Sequence, residues 1–355
     1  MRKAPSDWPA VLSEQYIVAQ LFGANQLAKD YLEHPQVRRL SSRERGFLRE
    51  QILHPWDFVF MEPLEDLGND FFDMEDLLSG DTFLLYSPSV SKYETMGQMS
   101  MYFTLRCFNG QCYQTYGPIT YSRGVQIFDV LFFARQLDST VETYDELGAL
   151  MQKDPLPFMT LLMGSEYPAA VHEGSLFVLC QSEIQVPNLD LSAWGKAFDV
   201  QEEDGVYKLD LQGWNQPPHY ASCYYDRVNR MLLATALTGQ AYNSLINTLA
   251  EFNVNLPETP DVLLTPAGRT LIQNILGKKL VTNPYAEIFD KDVSPEKQGE
   301  IDAANRFLGM LVSAHNSGEE YDLRELAHEA EIPYETAQEI ATHIQKRLDR
   351  YQRPQ

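Results

Sequence analysis

The sequence predicts an α+β fold: antiparallel hairpins backed by helices, with a short helical N-terminus and an all-helical C-terminal region. Three observations carry this expectation. Two aromatic and β-branched runs flank Asn109-Gly110, the dipeptide that best supplies the positive φ values of a tight type I′ hairpin turn. A second, similarly ordered set of alternating runs lies between Val206 and Phe252. From Pro257 onward, apolar residues recur at helical spacing instead.

Taken in order, residues 1–52 read as helical: Ser13 to Phe22 opens an apolar stripe, and Ser42 to Leu53 gives a second helix with Ser at its start. Thr82–Tyr86 reads as a strand. Met99–Phe108 and Gln111–Tyr116 read as a two-stranded ribbon, and Arg123 to Leu137 as a helix with Val125, Phe128, Leu131 and Phe132 on one face. Cys107 and Cys112 flank the expected turn, where two thiols can face each other across the hairpin. Val206–Leu211 alternates as a half-buried strand, Tyr220–Tyr225 and Arg230–Thr235 flank Asp226–Asn229, and Gly239–Phe252 is helical in pattern. The repeated order raises the reading of two related ββ(β)α units, although residue identity between the runs is low. The expected domains are a helical segment at 1–52, an α+β domain at 53–260 with tandem units 53–150 and 151–260, and a helical region at 261–355.

Within that last region Thr265-Pro266 marks a helix start with Pro at its first position. Ser294-Pro295-Glu296 begins another helix running to about His315. Residues 322–350 resemble a helix-turn-helix: Leu323, Leu326, Ala327 and Ala330 pack the first helix, and Ala337, Ile340 and Ile344 the second. Glu331 stands where a glycine would ease the bend.

Charge limits function. With 28 Lys plus Arg against 50 Asp plus Glu the chain carries −22, which argues against a broadly phosphate-binding surface. Its 18 Phe, 19 Tyr and 4 Trp are too many for an acidic disordered polymer. The opening residues carry no pattern of a secretory leader, and no apolar run reaches the roughly 20 residues of a membrane span. Four cysteines are too sparse for a disulfide scaffold, so a cytoplasmic location is expected.

The most distinctive stretch lies between Arg49 and Lys92, which contains no Lys or Arg. Its acids include Asp57, Glu62, Glu65, Asp66, Asp70, Asp73, Glu75 and Asp76, interleaved with Trp56, Phe58, Phe60, Phe71 and Phe72. Carboxylates at this density need a cation nearby, whether a metal, a basic protein surface or counterions. Asp70 to Gly80 lacks the register of a calcium loop.

No catalytic or cofactor set is expected. The seven His show no metal-ligand spacing, there is no nucleophile elbow around Gly164-Ser165-Glu166, and no glycine-rich phosphate cradle occurs. His54 beside Asp57 reads as a structural pair. The helix-turn-helix-like stretch carries eight acids and one base between Glu319 and His343, the wrong sign for approaching phosphates. The leading expectation is an acidic cytoplasmic protein-binding protein without catalysis, sequestering or escorting a basic partner as a chaperone, inhibitor or immunity-type protein does. Asp57, Glu62, Glu65, Asp66, Asp70, Asp73, Glu75 and Asp76 form its expected contact surface. Two alternatives remain: a DNA-associated regulator using the C-terminal helices, and a hydrolase or transferase with an unrecognised carboxylate-containing site.

Overall fold

The structure, a computed structural model, describes residues 8–23, 27–94, 101–163, 167, 169–172, 174–187, 189, 191–214, 219–289, 299, 303–311, 314, 321–338 and 340–342. The chain forms two compact units, residues 1–282 and 283–355. It is α+β, rich in antiparallel strands, with helices near both ends. Among the described residues, no helix is long and apolar enough to cross a membrane.

The first unit begins with α1 (Trp8–Phe22), α2 (Leu27–Tyr31), α3 (Pro35–Arg38) and α4 (Ser42–Leu53). Ser41 caps α4 through a capping box with Glu44, so the expected helix start holds to one residue. Then comes a five-stranded closed barrel: β1 (Asp57–Gly68), β2 (Phe71–Asp76), β3 (Thr82–Tyr86), β4 (Met101–Phe108) and β5 (Tyr113–Ser122), in the order β1-β2-β3-β5-β4. A short helix, α5 (Pro88–Glu94), follows β3. All pairings are antiparallel except β3 with β5, which run parallel through Leu85↔Tyr113 and Tyr86↔Gln114. Closure removes the exposed edges that open sheets must protect.

Strand alternation gives the barrel two distinct surfaces. Val59, Met61, Phe72, Met74, Leu85 and Tyr102 fill the interior. On the outside of β1 and β4, Phe58, Phe60, Phe103 and Leu105 lie in a second core with α6 (Ile127–Leu137), α7 (Tyr144–Lys153) and α8 (Leu156–Met163). Gln152 of α7 fixes this docking by bonding both the N–H and the carbonyl of Phe58, at 3.1 and 2.8 Å.

The hairpin at Asn109-Gly110 differs from expectation. Only Gly110 has positive φ (96°), and Asn109 does not. The Asn109 side-chain oxygen instead accepts from the N–H groups of Gln111 and Cys112, at 2.9 and 3.0 Å. This Asx-type capture widens the turn into a loop through Cys112, so β5 starts at Tyr113 rather than Gln111. Cys107 consequently stands opposite Gln114, not Cys112, and all four cysteines are free thiols.

The rest of the first unit is a six-stranded sheet with helices. After the short hairpin β6 (Val171–His172) and β7 (Ser175–Leu176) come β8 (Leu179–Gln185), β9 (Phe198–Glu203), β10 (Val206–Leu211), β11 (Ala221–Asp226), β12 (Met231–Ala236) and β13 (Val262–Leu264). The sheet order is β13-β8-β12-β11-β10-β9. Helix α9 (Gly239–Glu251) covers one face, burying Ala241, Tyr242, Leu245 and Leu249 against Leu209, Cys223, Leu232 and Ala234. Helix α10 (Pro266–Leu276), capped by Thr265 as expected, adds Leu271 and Ile272 to the core beneath the barrel. The two strand-strand-strand-helix runs differ both in order, since α5 interrupts the first, and in pairing. β3 joins β5 in parallel and closes a barrel, whereas β10, β11 and β12 form an antiparallel meander in an open sheet.

The second unit contains α11 (Ala286–Phe289), α12 (residues 303–311), α13 (Leu323–Glu329) and helical residues 334–338 and 340–342. Phe307, Leu311, Ala327, Ala330, Ala337 and Ala341 form its core. Glu331, in the turn, has φ 61°, the left-handed region that favours glycine. The Ser294-Pro295-Glu296 start, Ile344 and the basic tail lie outside the described residues, as does Gly164-Ser165-Glu166.

Candidate functional site

The eight acids singled out in the sequence separate into three groups. Asp57 and Asp76 are engaged inside the mouth of the barrel by a cation from β4. Arg106 bonds both carboxylate oxygens of Asp57 (3.0 and 2.5 Å) and reaches Asp76 at 3.2 Å. Its guanidinium lies over the rings of Phe83 and Tyr113, with centroids at 4.5 and 4.8 Å. The density of carboxylates called for a cation, and here the chain supplies one itself. His54 is not Asp57's partner; it ends α4 and packs its ring, tilted by 56°, against Phe108 at 4.9 Å.

Asp66 and Asp70 shape the β1–β2 turn. Asp66 accepts from Gly68 N at 2.8 Å. Asp70 adopts φ 67° and accepts from the Ser91 hydroxyl at 2.7 Å, tying the turn to α5. Both do local structural work in a short polar turn.

The remaining four stand on the outside of the barrel. Pairing register sets Glu62 opposite Glu75 and Glu65 opposite Asp73 on β1 and β2. Inward-pointing Phe72 and Met74 alternate with Phe71, Asp73 and Glu75 along β2, so the acids face away from the core. Like charges directly opposite on neighbouring strands disfavour the sheet by about 0.2–1 kcal/mol per pair. Burial, and after it the Glu75 charge, raises the Glu62 carboxyl above the usual carboxylate range. Among the described residues no Lys or Arg forms an ion pair with any of these four.

Strand β3 completes the face. Leu84 pairs with Asp73, Thr82 with Glu75 and Tyr86 with Phe71. Three rows therefore cross the sheet: Phe71 with Tyr86, whose rings lie 5.0 Å apart, then Glu65–Asp73–Leu84, then Glu62–Glu75–Thr82. Leu84 is 38% exposed, and Leu64 and Leu67 in the same hairpin are 55% and 46% exposed. Beside the aromatic row lies an open cleft of about 310 Å³, lined by Phe71, Leu84, Tyr86, Asn109, Gln111, Cys112 and Gln114. Sequence reading named Phe71 but missed Leu84 and Tyr86 as members of this face, although the alternation Phe71-Phe72-Asp73-Met74-Glu75 carries the period of a strand.

Burial pushes the thiols of Cys107 and Cys180 up to about 11 and about 12, and that of Cys223 higher still, which keeps them protonated near neutral pH. Among the described residues no group of three or more His, Cys, Asp or Glu is placed to hold a metal. In the second unit Arg306 pairs with Glu331 at 3.1 Å and Arg324 lies over the Tyr334 ring at 5.0 Å. No family model, no curated protein and no solved structure matches the chain.

Proposed function

We propose that this chain is a non-catalytic binding protein that docks a basic segment of a partner protein on the outer face of β1, β2 and β3, and so sequesters or escorts that partner. One observation carries the reading: Glu62–Glu75 and Glu65–Asp73 are like-charged cross-strand pairs that no Lys or Arg among the described residues pairs with, set among exposed apolar side chains. A sheet gains nothing in stability from this arrangement, whereas a cationic ligand relieves it. Four free cysteines and overall acidity suit a reducing compartment such as the cytoplasm and disfavour nucleic acid as the ligand.

The test uses the full chain and fluorescent lysine- and arginine-rich peptides, with acidic peptides and duplex DNA as controls. Basic peptides are expected to bind, and to lose about tenfold or more in affinity between about 50 and about 500 mM salt. Replacing Glu62, Glu65, Asp73 and Glu75 by their amides should abolish the binding. Equal binding by the amide variant, or a preference for DNA, overturns the proposal.

A further inference from the structure

The outer face of the barrel is patterned as well as acidic, and resting on the reading above, we infer that it recognises an extended basic segment bearing an apolar anchor, with apolar, basic and basic side chains at alternate positions. Successive rows on this face are two residues apart, a spacing of about 7 Å along a strand. An extended peptide laid along β2 presents every second side chain to the sheet at the same spacing. Its positions i, i+2 and i+4 thus meet the Phe71–Tyr86 row, the Asp73 row and the Glu75 row in turn.

The anchor has a seat. The open cleft beside Phe71 and Tyr86 combines the rings and the exposed Leu84 with the amide side chains of Asn109, Gln111 and Gln114. An aliphatic or aromatic side chain inserted there covers Leu84, while its two basic neighbours stand over the carboxylate pairs. A helical segment does not fit this spacing, because it turns residue i+2 to the opposite side. A uniformly basic segment would leave the aromatic row uncovered. The carboxylates and the cleft lie on the outer face rather than along a strand edge, so recognition is through side chains and not the backbone ladder.

The probes are labelled peptides in a Gly-Ser background: Leu-Ser-Lys-Ser-Lys, its reverse, and a scrambled Lys-Lys-Leu-Ser-Ser of the same composition. Affinity for the full chain is read by fluorescence anisotropy at low salt. The better of the two alternating peptides is expected to bind about tenfold tighter than the scrambled one, the change associated with burying one aliphatic side chain. Leu84→Thr, which keeps a strand-compatible side chain, should erase that preference without removing salt-sensitive binding; Tyr86→Thr serves as a second variant if the first unfolds. If alternating and scrambled peptides bind alike, yet all lose affinity in the four-amide variant, the patterned reading is overturned while the basic-segment reading stands. If the amide variant binds every peptide as the parent does, both fall.

Discussion

Asp129 and Thr265 are 136 positions apart in sequence and bonded at the core: the Thr265 N–H donates to Asp129 Oδ1 at 2.6 Å, and Thr265 Oγ1 lies 2.9 Å from Oδ2. They join the first turn of α6 to the cap of α10. Thr265 Oγ1 also accepts from Gly268 N at 2.9 Å and faces the Gly124 carbonyl at 2.8 Å. A hydroxyl has one proton and two lone pairs. All four contacts are satisfied when Asp129 carries a proton and donates it to Thr265 Oγ1, freeing the threonine proton for Gly124. Burial raises the Asp129 carboxyl to about 6, against the hydrogen bonds from Gln126 and Thr265 that favour its charge.

A carboxyl whose pKa is higher in the folded state than its usual 3.8 binds its proton more tightly when folded. Its contribution is complete below the unfolded value and is lost as pH rises through about 6. The difference corresponds to about 3 kcal/mol. Urea unfolding across this range should therefore show a fall in stability that is absent from Asp129→Asn. The variant itself is expected to lose about 1–2 kcal/mol at acid pH, because its amide nitrogen faces the Gln126 N–H donor. Parallel pH profiles for parent and variant would exclude this role for Asp129.

Arg106→Met leaves Asp57 and Asp76 at the barrel mouth without their cation. The side chains of Arg106 and Asp76 are 13% and 12% exposed, and removing one partner of a buried pair costs about 3 kcal/mol or more. Adding Asp57→Asn and Asp76→Asn to Arg106→Met should recover much of that loss. Recovery by the triple variant in chemical denaturation distinguishes stranded charge from lost packing against Phe83 and Tyr113.

Glu75→Gln removes one like-charged cross-strand pair. Thermal and urea unfolding should show a gain of about 0.2–1 kcal/mol, and the Glu62 carboxyl should titrate closer to its usual value. The same substitution should weaken basic-peptide binding. A variant more stable and less able to bind is the expected signature of a surface kept for contact; loss of stability instead would show that Glu75 supports the fold.

In the second unit, Glu331→Gly relieves a left-handed backbone at the cost of an exposed ion pair with Arg306, whose two side chains are 53% and 80% exposed. The backbone gain is about 1 kcal/mol, and exposed pairs contribute less. Unfolding of the full chain followed at the C-terminal helices should shift to higher denaturant.

Much of the architecture was legible because local chemistry agrees with it. Thr265 caps the helix that its position announces, Ser41 caps α4 one place before the Ser42 that the sequence marks, and Thr82–Tyr86, Val206–Leu211 and Gly239–Glu251 fall where periodicity places them. The barrel was not legible. Its closure depends on a parallel contact between Leu85 and Tyr113, two segments whose patterns say only that each is a strand. Asn109-Gly110 misled because a side-chain oxygen outcompeted the backbone turn. Of the site, the acids were visible as composition. Their division into Arg106-bound, turn-forming and outward-facing groups required the strand register, which a single strand's sequence does not contain.

The Arg106 bridge also bears on the order of events during synthesis. Translation delivers Asp57, the four outward acids and Asp76 before residue 106 leaves the ribosome. Until then the β1–β2 hairpin is a repelling acidic ribbon without the guanidinium that bridges Asp57 and Asp76. We expect a fragment ending before β4 to remain unstructured in hydrogen exchange, with protection arriving cooperatively once Arg106 and the whole of β5 are included. The emerging protein would then expose its outward carboxylates before its barrel exists, leaving them open to premature capture by any basic chain nearby.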